Sequence, residues 1–428
     1  MKLLIIVVYN VIVYPLLFII SLIFSTINKK LRKSLTGKFR SKKRLKSYIN
    51  SIPSNSIIYW FHASSLGEFY QIRPVIEKLK KKKNDARCLV SFTSPSGYEK
   101  AESASMDIKI YFPMDFPWTV FMALKLVKPK KIIFSSHDIW PNFVWIANKL
   151  GHHINITAYR TRYEIGGFST FVRKLYESVF QSIFSVYTIS EKDKRILQAI
   201  LFQVDCPEIS VFGNPRYDMV SQKAAEVENQ DNSKILDRDN CIIIGSSHKT
   251  DDDIIIPPIA KLLDRYHDLR VIYVPHEPRT SELSRIERTF ISNGHPIRVV
   301  EQSTSIEILK ERVMVIAVVG VLFKLYWDAR LAYIGGGYSS SGIHNVMEPA
   351  AAKLPVFFGP NYYNSDEAEQ LLMTGGGFCV RNKDDFHDAV SRLLNDKQNL
   401  KIASLASSDI ICKNIGATEK IVQGLIDE

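Results

Sequence analysis

A chain of 428 residues exceeds what one hydrophobic core ordinarily organises, so two domains are expected. With 46% hydrophobic and 23% charged residues it has the make-up of a folded enzyme, which excludes a disordered or fibrous chain. The net charge of +12 comes with no recognisable nucleic-acid module, and the five cysteines (Cys88, Cys206, Cys241, Cys379, Cys412) show no paired spacing, which argues against a disulfide framework or a zinc site.

In chain order, residues 3–25 are almost wholly apolar, broken by Asn10, Pro15, Ser21 and two tyrosines. That length suffices to span a bilayer, and an interfacial helix is the alternative because Asn10 and Pro15 weaken a clean span. Ten basic residues from Lys29 to Lys46 follow with no acid among them. Such a block favours an anionic membrane surface and keeps the remainder on the cytoplasmic side, so residues 1–28 read as an uncleaved anchor. Because both series of strands start after residue 50, deleting that anchor is expected to leave the folds intact.

Strands are predicted at Ser56–His62, Arg87–Phe92, Lys130–Ser135, His153–Ala158 and Ser185–Ile189, alternating with helical stretches. Their ends carry polar turns, among them Ser64-Ser65-Leu66-Gly67-Glu68, Thr93–Gly97 and Ser136–Asn142. The polar segment 224–240 reads as a linker. A second series follows at Cys241–Gly245, Arg270–Val274, Val313–Val319, Leu331–Ile334 and Pro355–Phe358. The expectation is α/β: two Rossmann-like, doubly wound domains facing each other across a cleft, at residues 29–230 and 231–428. In such sheets ligands sit beyond the carboxyl ends of the strands, where these turns fall.

The densest candidate is Gly335-Gly336-Gly337-Tyr338, continued by Gly342-Ile343-His344-Asn345-Val346-Met347-Glu348. Glycines there would let backbone approach a ligand, and a helix expected near Asn345 would turn free N–H groups toward an anion. Asn345 and Glu348 alternatively form a capping box. Ser246, Ser247 and His248, followed by Lys249, occupy an equivalent strand end and suit a phosphate or carboxylate. Glu68 is either a general base at a cleft-facing turn or the second half of a Ser65-x-x-Glu68 cap. Arg216 beside Asn214 is either an anion ligand or a surface charge. No Asp-x-Asp run or His/Cys cluster is evident, so no metal or cofactor is predicted.

Trp60-Phe61-His62-Ala63-Ser64-Ser65-Leu66-Gly67-Glu68 resembles the W-x-H-A-x-S-x-G-E pattern of 3-deoxy-D-manno-octulosonic acid (Kdo) transferases. Trp140-Pro141-Asn142, Phe212-Gly213-Asn214 with Asp218, Gly245–His248, the Gly335–Pro360 block and Gly416-Ala417-Thr418 extend that resemblance in order over the whole chain. It implies the GT-B arrangement, a CMP-Kdo donor, a lipid A precursor (lipid IVA type) as acceptor, and inverting transfer on the cytoplasmic face of the inner membrane without a required metal. It implies Glu68 as base and a nucleotide site drawing on Ser246, Ser247, His248, Gly336, Gly337, His344, Asn345, Glu348, Asn214 and Arg216. Nucleic acid is not an expected partner. Three departures stand out: Ser136-His137-Asp138 where many members have Glu-x-Glu, Pro275-His276-Glu277-Pro278 where they have Arg-His-Pro, and Ala317-Val318-Val319-Gly320 for Asp-x-x-Gly. The alternatives are a sugar-nucleotide epimerase on the same fold, which has no reason for an anchor, and an inactive membrane-associated homologue.

Overall fold

The computed structural model describes residues 2–161, 170–202, 207–229, 238–301 and 311–427. They form two compact units, one of residues 1–219 and 415–428, the other of residues 220–414.

The first unit is a seven-stranded parallel sheet: β1 (Ile57–Ala63), β2 (Ala86–Phe92), β3 (Ile108–Tyr111), β4 (Lys131–Ser135), β5 (His153–Tyr159), β6 (Ser185–Thr188) and β7 (Glu208–Val211). Their spatial order is β3-β2-β1-β4-β5-β6-β7. Strand β1 shows why the sheet is parallel and covered on both faces. Its run Ile57-Ile58-Tyr59-Trp60-Phe61 is apolar at every position, so neither side tolerates water. Trp60 packs with Phe134 and Phe143 on one face, while Tyr59 and Phe61 pack with Val75 and Ile76 on the other. The strand order reverses between β1 and β4, which opens a crevice at their carboxyl ends.

The second unit repeats the plan with β8 (Cys241–Ser247), β9 (Arg270–Pro275), β10 (Arg298–Val300), β11 (Val313–Ile316), β12 (Leu331–Ile334), β13 (Val356–Phe358) and β14 (Gly377–Cys379). The order is β10-β11-β9-β8-β12-β13-β14, all parallel, with its reversal between β8 and β12.

The α/β class of two Rossmann-like units agrees with expectation, and the strands that pattern reading missed are instructive. They are β3, β7, β10 and β14, the four sheet edges. Each is three or four residues long, and β7 has no buried residue, so the continuous apolar run that marks a central strand is missing. The expected boundary at 230/231 lies outside the described residues. The units divide instead at Met219/Val220, inside the helix Pro215–Glu228, so the front of the supposed linker is helical.

The C-terminal helix Ala417–Asp427 returns to the first unit, where Ile421, Val422 and Leu425 join its core. Asp218 fastens that return. Its carboxylate accepts hydrogen bonds from Gly416 N–H (2.5 Å), Thr418 N–H (2.7 Å) and the Thr418 hydroxyl (2.7 Å). The Gly213/Asp218 and Gly416–Thr418 motifs thus meet each other for a structural reason.

Candidate functional site

In the first unit the crevice between β1 and β4 gathers the chemistry. Ser65 leaves β1 in extended backbone and caps the helix Leu66–Lys82, its Oγ accepting from Glu68 N–H at 3.3 Å. The Glu68 carboxylate turns back and accepts from Ser64 N–H at 2.6 Å. The cap is real and leaves Glu68 half-buried at the strand end. A helix N-terminus by itself favours the ionised carboxylate and weakens its basicity. In the structure burial dominates and pushes the carboxyl above its ordinary value, against the Ser64 hydrogen bonds that lower it, with Asp138 adding to the rise.

His62 and Asp138 stand beside it. The His62 ring is fully buried, with Nδ1 3.0 Å from Ser91 Oγ and Nε2 donating to Asp138 at 3.1 Å. Thr93 donates to the same carboxylate oxygen at 3.0 Å. Burial pushes Asp138 up, but the hydrogen bond and charge of His62, with Thr93 and Lys38, hold it below the ordinary value. Lys38 is itself lowered by burial, opposed by Asp138 and Asp115, and its ammonium lies over the Trp140 ring at 4.8 Å from the centroid. Two carboxyls in one crevice are therefore driven apart: Glu68 up, Asp138 down. His62 and Lys38 were not singled out from sequence; the only available signal was the W-x-H pattern for one and its place in the basic block for the other.

In the second unit the crevice between β8 and β12 joins most of the expected donor residues. Gly335 abuts the Ser246–Ser247 backbone so closely that a Cβ would lie 2.3 Å from Ser246 O, and one on Gly337 would lie 2.5 Å from Gly359 N. These glycines let three strand-end loops touch each other. Two expectations are corrected here. The helix near Asn345 is only Met347–Ala351, with Asn345 Oδ1 accepting from Met347 N–H at 3.1 Å. The loop amides are also engaged: Gly336 N–H binds Asp251, Gly342 N–H binds Ser339 O, Ile343 N–H binds Asn364, and His344 N–H binds Gly335 O. They do not form a free anion cradle.

Side chains supply what the backbone does not. His248, His276 and His344 arrive from the ends of β8, β9 and β12, and a ring nitrogen from each lies within 4.8 Å of the others. Sequence reading found no histidine cluster; this one exists because three adjacent strands end together, and no spacing along the chain reveals it. The Nε2 atoms of His248 and His344 are 2.9 Å apart, a hydrogen bond, and His276 stacks on His344 at 4.3 Å. Two nitrogens sharing a tetrahedral ion sit about 3.3 Å apart, and stacked rings do not aim their lone pairs at one point, so the arrangement as it stands is a polar wall. Burial, then the neighbouring imidazoles His276 and His248, lower His344 to about 4, and burial also lowers His276, with His248 adding to it and Glu277 opposing. The adjoining cavity of about 510 Å³ is lined by His248 and His276 together with Lys249, Arg279, Arg285 and Glu282. Glu348 is half-buried near Tyr326. Asn214 and Arg216 belong to the first unit, where Asn214 Oδ1 accepts from Arg216 N–H at 3.1 Å.

A family model for 3-deoxy-D-manno-octulosonic-acid transferase (kdotransferase) matches residues 38–219, the part carrying Glu68, His62 and Asp138. Curated 3-deoxy-D-manno-octulosonic acid transferases align over most of the chain. The Chlamydia pneumoniae protein is 26% identical over 379 residues, covering 86% of this chain and 83% of its own. The Aquifex aeolicus protein is 25% identical over 346 residues, covering 80% and 88%. The chain belongs to the Kdo transferase family. As a member of that family it is a glycosyltransferase. Among solved structures, a putative UDP-N-acetylglucosamine 2-epimerase from Listeria monocytogenes (TM-score 0.57, 12% identity, 86% of this chain and 96% of that one) shares the fold. So does a glycosyltransferase from Rickettsia africae (TM-score 0.56, 13% identity, 86% and 97%). At such identities the likeness speaks for the fold alone.

Proposed function

We propose that this Kdo transferase family member moves Kdo from CMP-Kdo to a hydroxyl of a lipid A precursor of the lipid IVA type, with inversion, in lipopolysaccharide synthesis. The observation that carries this reading is Glu68: a half-buried carboxyl with raised proton affinity at a strand-end crevice, beside an Asp138 held ionised by His62. Glu68 takes the acceptor hydroxyl proton as that oxygen bonds to the anomeric carbon, and the bond from that carbon to the phosphate oxygen breaks with its electron pair leaving on CMP. In the second unit Lys249, Arg279 and the imidazoles meet the phosphate and the Kdo carboxylate, and steady the departing CMP. Glu348 accepts from the ribose hydroxyls, with Ser246, Ser247 and Asn345 alongside. Asn214 and Arg216 are assigned to the donor on the family resemblance only. The apolar first helix and its basic successor support a position on the cytoplasmic face of a bacterial inner membrane.

Mass spectrometry of the products, after incubating the membrane-bound protein with CMP-Kdo and the lipid A precursor, tests the reading. Acceptor heavier by one or more Kdo, with CMP released, is expected, and the number added is read directly. Unaltered acceptor, or conversion of a UDP-sugar to its epimer, would overturn it.

A further inference from the structure

The helix Lys2–Ser25 is long and apolar enough to cross a membrane. Its packing indicates a different use. A turn of π-helix at Tyr9–Val13, in which Tyr14 N–H bonds to Tyr9 O, precedes Pro15, a residue with no N–H to give. That turn rephases the helix so that Ile5, Tyr9 and Tyr14 share one face. Phe18 and Leu22 continue it one and two turns later, lining a cavity of about 630 Å³ with Lys38, Lys42 and Trp118.

Every polar group of that stripe is spent on the folded body of the first unit. Tyr9 OH donates to Asp115 at 2.9 Å, and Asp115 N–H donates to Tyr14 OH at 2.6 Å. The Asn10 and Asn142 amides exchange hydrogen bonds of 3.0 and 2.9 Å. Tyr9 meets Trp145 edge-on, and Phe116 takes both Tyr14 and Phe18. The opposite faces carry no polar partner and are exposed, Leu4, Val11, Ile12, Leu16, Ile19 and Ile23 among them. A spanning helix must be wrapped in lipid, which would draw Asp115, Asn142 and the lysines of the helix Lys29–Ser51 into hydrocarbon at a cost of several kcal/mol each.

We infer that the first helix is an in-plane anchor: it lies on the first unit and sinks its outer face into one leaflet of an anionic bilayer, and the chain never crosses. The occupant is set by charge and by level. The helix Lys29–Ser51 carries nine exposed cations, Lys29, Lys30, Arg32, Lys33, Arg40, Lys42, Lys43, Arg44 and Lys46, and begins where the apolar face ends. Phe39 on that helix and Trp118, Phe121 and Met122 on the helix Pro117–Val127 add exposed apolar side chains, and the Lys42 ammonium sits 3.4 Å from Met122 Sδ. An apolar floor rimmed by cations and an aromatic residue is the make-up of a helix pair seated at the headgroup boundary. This rests on the membrane attachment proposed above and adds its geometry. It also corrects the expectation that residues 1–28 are dispensable for folding, since their removal bares Asp115, Asn142 and Trp145.

The test uses the full chain with Lys2→Cys in a Cys412→Ser background, Cys412 being the exposed cysteine among the described residues. A membrane-impermeant maleimide should label residue 2 in inside-out vesicles and leave it unlabelled in spheroplasts. Labelling from outside the spheroplasts would overturn the proposal while sparing the membrane reading. Recovery of the protein in the soluble fraction would overturn both. Asn10→Leu supplies a second readout. A lipid-wrapped helix would hold the bilayer as well or better with the body's melting temperature unchanged, which would sink the in-plane geometry. The expected result is a melting temperature lowered by several degrees in detergent, because the Asn142 amide loses both hydrogen bonds it exchanges with Asn10.

Discussion

Two crevices built on one plan have been given opposite chemistry. In each unit the sheet reverses order beside its first strand, and in each a serine at a central strand end, Ser136 after β4 and Ser246 in β8, holds left-handed backbone (φ 63° and 55°). Such conformations cost a non-glycine residue roughly 1–3 kcal/mol and concentrate at functional sites. Past that common bend the units diverge. The first collects Glu68 and Asp138 around a buried histidine; the second collects three imidazoles with Lys249 and Arg279. On the function proposed above, one crevice accepts a proton and the other receives an anion. Fold position thus fixes where a ligand site lies, and the side chains on each strand end decide what it does.

The sharpest way to break this comparison is Glu68→Gln. Removing a general base should lower turnover by about 100- to 10,000-fold. CMP affinity, measured by calorimetry, should stay within about twofold, because the second unit holds none of the altered group. Near wild-type turnover would remove Glu68 from the mechanism, and a matching loss of CMP binding would collapse the distinction between the crevices. Glu348→Ala is the converse experiment. A hydrogen bond to a charged group is worth about 1.5–3 kcal/mol, so CMP should bind roughly 10- to 100-fold more weakly. Turnover at saturating donor should fall much less. Unchanged affinity would reduce Glu348 to a residue of the short helix Met347–Ala351.

How legible this was in the sequence depends on what kind of order each feature has. Central strands such as Ile57–Ala63 announce themselves because burial on both faces forces an uninterrupted apolar run. The edges β3, β7, β10 and β14 do not, since a strand with one neighbour needs no such run. Glu68 stood out through local spacing and family pattern alike. The direction of its proton affinity did not, because that turns on burial and on Asp138, seventy residues away. The histidine cluster was invisible for the same reason: positions 248, 276 and 344 share no spacing and meet only through the order β9-β8-β12. Asn10 was read as a flaw in a membrane span, and only its pairing with Asn142 makes it a contact.

Acidity separates the crevices again, with a smaller effect. The Glu68 carboxyl is raised above its ordinary value, so turnover should be lost on acidification sooner than an exposed glutamate would allow. The histidines shift the other way. His344 is lowered to about 4 and His276 is lowered too, so these two imidazoles are neutral near pH 7 before an anion binds. A bound anion favours their charged forms and raises those values. Protons are then taken up on binding, and affinity for CMP rises as pH falls from the bound-state value toward the free-state value. The slope approaches tenfold per pH unit for one linked proton. Calorimetry in buffers of differing ionisation enthalpy reads the uptake directly, and His344→Asn should flatten it. A pH-independent affinity in the unaltered protein would show that the imidazoles do not meet the anion.

The smallest effect on activity is expected at Asp218, which belongs to a recognisable motif yet lies in neither crevice. Its carboxylate receives three hydrogen bonds from Gly416 and Thr418 and holds the C-terminal helix on the first unit. Asp218→Asn keeps the shape, removes the charge, and turns one acceptor oxygen into an NH2 group that faces donors it cannot accept from. Charge-assisted bonds of this kind are worth about 1.5–3 kcal/mol, and for a unit of this size 1 kcal/mol moves the melting temperature by roughly 2–4 °C. The variant should therefore melt several degrees lower in the first unit's transition, while turnover and CMP affinity at low temperature remain those of the parent. A catalytic defect without thermal loss would mean that the Gly213/Asp218 motif acts on substrate, and would move it from the scaffold into the site.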